Sequence, residues 1–183
     1  MAGIRLRYGV LIRHPAAFVS SYKKLNWGHP LSHFLDQPLL MKAHLAPFER
    51  EIEDFAKNQH DIIDQASLLW KLNHHVILKY RQTHKNWIFL HYEDLSIDPL
   101  SEFRKLFRQL DLEFSGRIER KIQEQSRARQ FANSPDPYSI ARNSEHMVKI
   151  WQERLTQREI ERIRMLVEDL ANAYYSSQGW SIE

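Results

Sequence analysis

The stretch that decides the fold is residues 4–21, IRLRYGVLIRHPAAFVSS. Residues 4–12 are rich in β-branched, aromatic and other apolar side chains, which predicts a β-strand. The strand ends at Arg13-His14-Pro15, and Pro15 suits the first turn of a helix, where its missing N–H has no partner to lose. We therefore predict a strand, a short turn and a helix over about residues 16–25.

A second strand is predicted over residues 87–92, WIFLHY, which is again aromatic and apolar. The remaining chain predicts six or seven helices. Their positions are about residues 16–25, 39–57 with an interruption at Pro47, after Asp61, after Asp98, 116–130, around Trp151 and 156–176.

Three helix starts carry clear signals. Asp61 is a predicted N-cap, Asp98 precedes Pro99 in the same way, and Thr156 with Glu159 forms a capping box. The helix after Asp61 has one face with three- and four-residue spacing, made of Ile62, Ile63, Ala66, Leu69, Trp70, Asn73, Val76, Ile77 and Tyr80.

The balance of elements predicts an α/β fold that is incomplete. Both strands have the composition of strands buried on two faces, which is typical of a parallel sheet covered by helices. A parallel sheet of two strands is too small to stand alone. We therefore expect one domain over residues 1–183 that lacks sheet-forming sequence on its N-terminal side, as in a fragment, a split subunit or a chain with a mispredicted start. Its open sheet edge predicts self-association or a partner chain.

Composition excludes several classes of protein. The 183 residues are 43% hydrophobic and 27% charged, so wholesale disorder is excluded. The absence of cysteine excludes disulfides, iron–sulfur clusters and thiolate zinc sites. No apolar run approaches the roughly 20 residues of a transmembrane helix. Arg5, Arg7 and Arg13 interrupt what would be the core of a signal peptide, so we expect a cytoplasmic protein.

Charge is uneven along the chain. The net charge is only +3, but residues 1–35 hold no acidic side chain, which favours binding of an anion. A solvated basic surface is the alternative. Nucleic acid is not an expected partner, because the sequence has neither an RNA-binding signature nor a zinc finger.

Arg13 and Ser21 form the first candidate site. Ligands of open α/β sheets bind beyond the carboxyl ends of the strands, and an arginine there can direct two N–H donors at a phosphate. Ser21 lies about 9 Å along the following helix, within reach of the same phosphate. In the alternative, Arg13 pairs with a carboxylate and Ser21 faces solvent.

The end of the second strand supplies another candidate, Tyr92, whose hydroxyl could bond a base while its ring forms an apolar wall. Glu93 and Asp94 are expected to point to opposite faces of extended backbone, which makes them a poor acid/base pair. One of them could hold Arg13. A core tyrosine beside a solvated turn is the alternative.

A third segment runs from Ser126-Arg127 through a proline-bearing loop to Arg142-Asn143 and a helix start. A helix N-terminus with a nearby arginine is a potential anion site. A surface connector is the alternative.

These three segments, in this order, resemble the C-terminal two-thirds of a sulfotransferase that uses 3′-phosphoadenosine 5′-phosphosulfate (PAPS). The features that carry the resemblance are residues 12–21 (IRHPAAFVSS), residues 92–95 (YEDL) followed by Asp98-Pro99, and the late basic loop followed by Trp151 and the capped terminal helix.

The resemblance implies a P-loop-type α/β fold and a set of donor-binding residues. Arg13 and Ser21 would bind the 3′-phosphate of PAPS, with Ser20 as the alternative serine, and Tyr92 would border the adenine. Ser126 or Arg127 would make a further adenine contact. Arg142 is the one residue kept from the Arg-Lys-Gly loop of the family.

The sequence departs from the family in its chemical half. No glycine-rich phosphosulfate loop with a lysine is present, and the chain has only five glycines. The usual histidine base would fall before Met1, so the catalytic residues stay unknown. The resemblance implies sulfuryl transfer to an acceptor hydroxyl or amine without a metal, this chain supplying the 3′-phosphate and adenine half of the site.

Other functions stay open. The chain could be a non-catalytic helical interaction module, or an inactive fragment that needs a partner chain. A kinase-like enzyme is disfavoured because no Walker lysine is present. His29 and His33 are four residues apart, but Pro30 argues against a helical metal site. They could instead line an acceptor pocket, whereas His74 and His75 are expected to serve packing and surface.

Overall fold

The structure, a computed structural model, describes residues 6–127 and 144–180. In chain order the elements are β1 (Gly9–Ile12), α1 (Pro15–Leu25), α2 (Ser32–Leu35), α3 (Pro38–Leu40), a π-helical turn (Met41–Leu45), a 3-10 turn (Ala46–Phe48), α4 (Glu49–Lys57), α5 (Ile62–Thr83), β2 (Ile88–His91), α6 (Tyr92–Ile97), α7 (Pro99–Gln109), α8 (Gly116–Arg127), α9 (Ser144–Arg154), α10 (Gln157–Ala171) and a final 3-10 turn (Ser177–Trp180). The chain divides into two compact units. We call them the sheet unit (Met1–Arg13 and His84–Ile150) and the helical unit (His14–Thr83 and Trp151–Glu183).

β1 and β2 form a two-stranded parallel sheet in which Gly9 pairs with Ile88 and Ile12 with His91. The predicted parallel pairing is confirmed. Within the described residues β1 begins only at Gly9, and β2 ends at His91 because Tyr92 begins α6. The prediction that both strands are buried on two faces is wrong. Every residue of β2 is partly exposed and Leu11 is 53% exposed, so the strands are not covered on both faces.

The predicted helix starts are confirmed by their caps. Asp61 accepts a hydrogen bond of 3.0 Å from the Asp64 N–H at the start of α5. Asp98 accepts one of 3.2 Å from the Ser101 N–H, and Pro99 occupies the first position of α7. Thr156 and Glu159 form the capping box of α10. Each cap satisfies backbone N–H groups that a helix start leaves without partners.

Two helices differ from their predicted form. The predicted irregular helix of residues 39–57 is resolved into α3, a π-helical turn, a 3-10 turn that contains Pro47, and α4. α10 ends at Ala171, before the predicted end near Ser176, and a turn follows in which the Tyr174 N–H donates to the Ala171 carbonyl.

The helical unit has two apolar clusters, one on each side of α5. The first cluster combines α1, α5, α9, α10 and the final turn, and its buried members are Ala16, Ala17, Val19, Ile63, Ala66, Trp70, Trp151, Leu155, Ile160, Ile163, Val167, Leu170, Ala171 and Trp180. The second lies under the segment before α5, and its buried members are Leu31, Met41, Leu45, Ile52, Leu68, Leu69 and Leu72. α5 is therefore buried on more than one face, whereas Asn73, predicted to be inward, is exposed.

Candidate functional site

The carboxyl ends of β1 and β2 lie side by side, and a predicted site residue follows each of them. Because Ile12 pairs with His91, the next residues along the two strands are Arg13 and Tyr92. The guanidinium carbon of Arg13 lies 5.0 Å from the centroid of the Tyr92 ring. This distance is within the range of a cation–π contact. The structure thus brings together two of the residues that the sequence analysis selected from segments 79 residues apart.

This pair has the chemistry of a phosphate and base site. A guanidinium always carries its charge, and its fork of N–H donors matches the oxygens of a phosphate. The Arg13 Nε atom is buried, so this end of the guanidinium is shielded from solvent. Tyr92 is itself partly exposed, so part of this side chain is open to solvent. The strand ends therefore hold a cation beside an aromatic ring.

The structure corrects the setting of Glu93 and Asp94. They lie in the first turn of α6 and not in extended backbone. Successive residues of a helix do not face each other either, so the expectation that they form a poor acid/base pair keeps a physical basis. Their charges lie at the N-terminal end of α6, where acidic side chains stabilise a helix.

Ser21 lies on α1 in the helical unit. Its hydroxyl donates a hydrogen bond of 3.1 Å to the Ala17 carbonyl, and the Ser20 hydroxyl donates one of 3.2 Å to the same oxygen. Ser20 is completely buried, whereas Ser21 is half-buried. Ser21 is therefore the better ligand candidate of the two, because Ser20 could reach a ligand only if the helix repacked.

The remaining predicted residues lie elsewhere. Ser126 is near the end of α8 in the sheet unit and is partly exposed, and Arg127 is the last residue of that helix. Arg142 lies outside the described residues, as do Pro135 and Pro137. The helix predicted after this loop is α9, which begins at Ser144.

A comparison with protein families tests the resemblance that these segments carry. The family model of the sulfotransferase domain matches residues 6–174, which is most of the chain. The chain belongs to the sulfotransferase family. Comparisons with curated proteins and with solved structures gave no match. Within the residues that the structure describes, no helix is long and apolar enough to cross a membrane.

One residue of this sulfotransferase domain was missed by the sequence analysis. His14 is the residue that follows Arg13 in the chain. It is 4% exposed and lies among the rings of Trp151, Tyr175 and Trp180. Burial lowers the pKa of His14 to about 4, so it is neutral at physiological pH. No pattern around residue 14 indicates which distant aromatic side chains would meet there.

The other candidate histidines divide as follows. The rings of His29 and His33 have centroids 6.2 Å apart, and burial together with the charge of His33 lowers the pKa of His29. Among the described residues no group of three or more side chains could hold a metal ion. His74 is buried and stacks on Trp70 at 3.9 Å, and His75 meets the ring of Phe48 edge-on, which confirms the packing role predicted for them.

The sheet unit also has a cavity of about 490 Å³ beside β2. Its wall contains the whole of β2 and side chains of α6 and α7, with the charged residues Arg7, Lys85, Asp94, Glu102 and Lys105. Two of these cations are engaged, since Arg7 pairs with Asp111 and Lys105 with Glu102. The cavity therefore has a mixed, largely neutralised charge rather than the excess of cations that a polyanion would need.

Proposed function

We propose that this chain binds PAPS through its 3′-phosphate and adenine and takes part in transfer of the sulfuryl group to an acceptor hydroxyl or amine. The observation that carries the proposal is the Arg13–Tyr92 pair at the carboxyl ends of two parallel strands. Membership of the sulfotransferase family supports it, because that family implies a sulfuryl donor. The position also agrees with ligand binding beyond the carboxyl ends of strands in α/β sheets.

In this proposal the five predicted residues contact the 3′-phosphate or the adenine of PAPS. Arg13 binds the 3′-phosphate through two charge-assisted hydrogen bonds. The family resemblance assigns Ser21 to the 3′-phosphate as well, and Arg142 adds a second cation. Tyr92 stacks against or borders the adenine, and Ser126 bonds its edge.

The bound donor supplies a sulfuryl group that passes to the acceptor while adenosine 3′,5′-bisphosphate leaves. The residues of this chain contribute to that reaction by orientation. A phosphate and a base held at two points fix the direction of the scissile bond, which lowers the entropic part of the barrier. The sequence provides no glycine-rich cradle for the 5′-phosphosulfate. We therefore assign this chain the nucleotide-holding half of a P-loop-type sulfotransferase site and assign no catalytic base.

Calorimetric titration with adenosine 3′,5′-bisphosphate and with 5′-AMP tests the proposal. We expect preferential binding of the bisphosphate. Arg13→Ala should weaken it by about 10- to 100-fold, the range for loss of a charge-assisted contact, without changing the affinity for 5′-AMP.

Arg104→Ala is the matched control for this titration. Arg104 lies in the sheet unit, as Arg13 does, and its guanidinium carbon is 5.4 Å from the centroid of the Phe114 ring. It also forms an ion pair of 2.7 Å with Glu119. Its removal should leave the preference for the bisphosphate unchanged. Equal affinity of the folded wild-type chain for the two nucleotides would exclude the proposed site.

A second candidate function is that of an interaction module for another chain. Several large apolar side chains of the sheet unit are exposed, among them Leu11 at 53%, Ile97 at 60% and Leu112 at 55%. Such a surface in the sheet unit favours a covering partner. Light scattering during size-exclusion chromatography distinguishes the two candidates. An interaction module would form a stable complex or dimer and would not bind the bisphosphate. A chain with the proposed donor site would bind the bisphosphate whatever its assembly state.

A further inference from the structure

The backbone at Arg13 leads directly into a tightly held residue. His14 is the N-cap of α1, with φ −53° and ψ 134°, and its carbonyl accepts a hydrogen bond of 2.9 Å from the Phe18 N–H. Pro15 follows and restricts the backbone conformation of the residue before it. Consecutive Cα atoms are about 3.8 Å apart, so the placement of His14 determines where the Arg13 side chain begins.

The side chain of His14 is enclosed by three aromatic rings, which we call the aromatic cage (Trp151, Tyr175 and Trp180). Trp151 stacks on it with centroids 5.3 Å apart and an angle of 17°. Tyr175 and Trp180 meet it edge-on at 4.9 and 4.7 Å. A Cβ atom on Gly179 would lie 3.8 Å from the His14 Nε2 atom, which shows how closely the final turn approaches the ring.

The cage is itself anchored in the helical unit. Trp151 and Trp180 are 4% and 5% exposed and belong to the first apolar cluster. The guanidinium carbon of Arg164 on α10 lies 6.0 Å from the Trp180 ring. The His14 ring is therefore held by α9 and by the chain that follows α10, and these are distant in sequence from the residue they hold.

We propose that His14 is a positioning residue for Arg13, and that the aromatic cage holding its ring sets the direction from which the Arg13 guanidinium meets the 3′-phosphate. This inference rests on the proposed donor site. His14 would act without touching the nucleotide. Burial keeps its ring neutral at physiological pH, so a change in phosphate affinity on its removal would not come from a lost positive charge.

Another histidine of the same unit provides a matched control. His74 is 5% exposed, stacks on Trp70 at 3.9 Å and meets the ring of Tyr174 edge-on at 5.5 Å. It is thus a second buried histidine among aromatic rings, but it lies in the middle of α5 and not beside Arg13. Replacement of either histidine by alanine should lower stability, and only the change at His14 should alter recognition of the 3′-phosphate.

The experiment compares the affinities of the wild-type chain and of variants for adenosine 3′,5′-bisphosphate and for 5′-AMP. The ratio of the two affinities measures recognition of the 3′-phosphate and is insensitive to the folded fraction. We expect His14→Ala to lower this ratio by about tenfold, because a small misplacement of a charged group is costly. His74→Ala should leave it unchanged. In the Arg13→Ala background, His14→Ala should lower the ratio no further, since the two residues act as one unit.

The outcomes separate this inference from the proposed function. A wild-type chain without preference for the bisphosphate would overturn both. A wild-type preference that His14→Ala preserves, or that His74→Ala lowers equally, would overturn the positioning role alone. If His14→Ala does not fold, Trp180→Leu opens one wall of the cage instead, and it should lower the ratio in the same direction. An unchanged ratio in that folded variant would also overturn the positioning role.

Discussion

The turn between α9 and α10 is tied to α1 by one lysine, and we predict that this tie contributes measurably to stability. The Lys23 Nζ atom lies 2.8 Å from the carboxylate of Glu159 and 3.2 Å from the Arg154 carbonyl oxygen. Glu159 also bonds the Thr156 backbone N–H in the capping box. The perturbation is Lys23→Met, which removes the charge and keeps the apolar stem.

The magnitude follows from the exposure of the pair. The side chains of Lys23 and Glu159 are 34% and 23% exposed, so solvent screens part of their attraction. Exposed ion pairs contribute about 0–1 kcal/mol, and hydrogen bonds to charged groups contribute more. We expect a loss of about 1–2 kcal/mol of unfolding free energy at neutral pH. In a chain of this length that loss lowers Tm by about 2–8 °C.

The pH dependence of the unfolding free energy tests the same ion pair independently. Burial raises the pKa of Glu159, but hydrogen bonds from Lys23 and Thr156 outweigh it and hold that pKa below the usual 4.5. A carboxyl with a depressed pKa contributes stability that is fully present above pH 4.5 and is lost as pH falls through its lower folded-state pKa. The difference between wild type and Lys23→Met should therefore be constant from pH 5 to 7 and shrink near pH 3.

Urea and thermal unfolding, followed by circular dichroism, measure the loss of unfolding free energy at neutral pH and its change with pH. Lys57→Met is the control, because Lys57 pairs with Glu53 at 2.9 Å on an exposed surface, with side chains 69% and 44% exposed. It should change stability by less than about 0.5 kcal/mol. The reasoning would be refuted if Lys23→Met were no less stable than Lys57→Met, or if its loss of stability were equally large at pH 3.

Two further predictions concern the strand end and the aromatic cage. Tyr92→Phe keeps the ring under the Arg13 guanidinium and should retain affinity for the bisphosphate within about threefold, whereas Tyr92→Leu should lose about 3- to 30-fold, as measured by calorimetry. His14 should contribute to acid sensitivity. Its folded-state pKa of about 4 lies below the usual 6.5, so the unfolded chain binds the extra proton first and stability falls as pH drops from about 6.5 to 4. His14→Gln should flatten that part of the unfolding free energy profile, and an unchanged slope would contradict the burial argument.

Features that depend on local sequence were predicted well. The caps at Asp61, Asp98 and Thr156 are each set by a few neighbouring residues, and all three are confirmed. The parallel pairing of the two strands was predicted from their apolar composition and is confirmed, although the burial expected from that composition is not observed.

Features that depend on distant packing were not predicted. The helix α5 is buried on more than one face because clusters from two parts of the chain pack against it, and a single periodic stripe cannot report that. The burial of the strands was overestimated for the reverse reason. Apolar composition indicates what a strand can bury, whereas the partial exposure of every β2 residue shows that this burial is incomplete in the described sheet.

The candidate site also has one part that depends on local sequence and one part that depends on distant packing. The Arg13–Tyr92 contact requires only two strands in one register, since the residues after Ile12 and His91 then meet. A phosphate and base site at strand ends can therefore be inferred from short motifs. The aromatic cage around His14 requires the helical unit to be folded as well, because its rings come from α9 and from the final turn. If the cage orients Arg13, affinity for the 3′-phosphate depends on residues that no motif near Arg13 contains, and variants of the final turn should lower that affinity without touching the nucleotide.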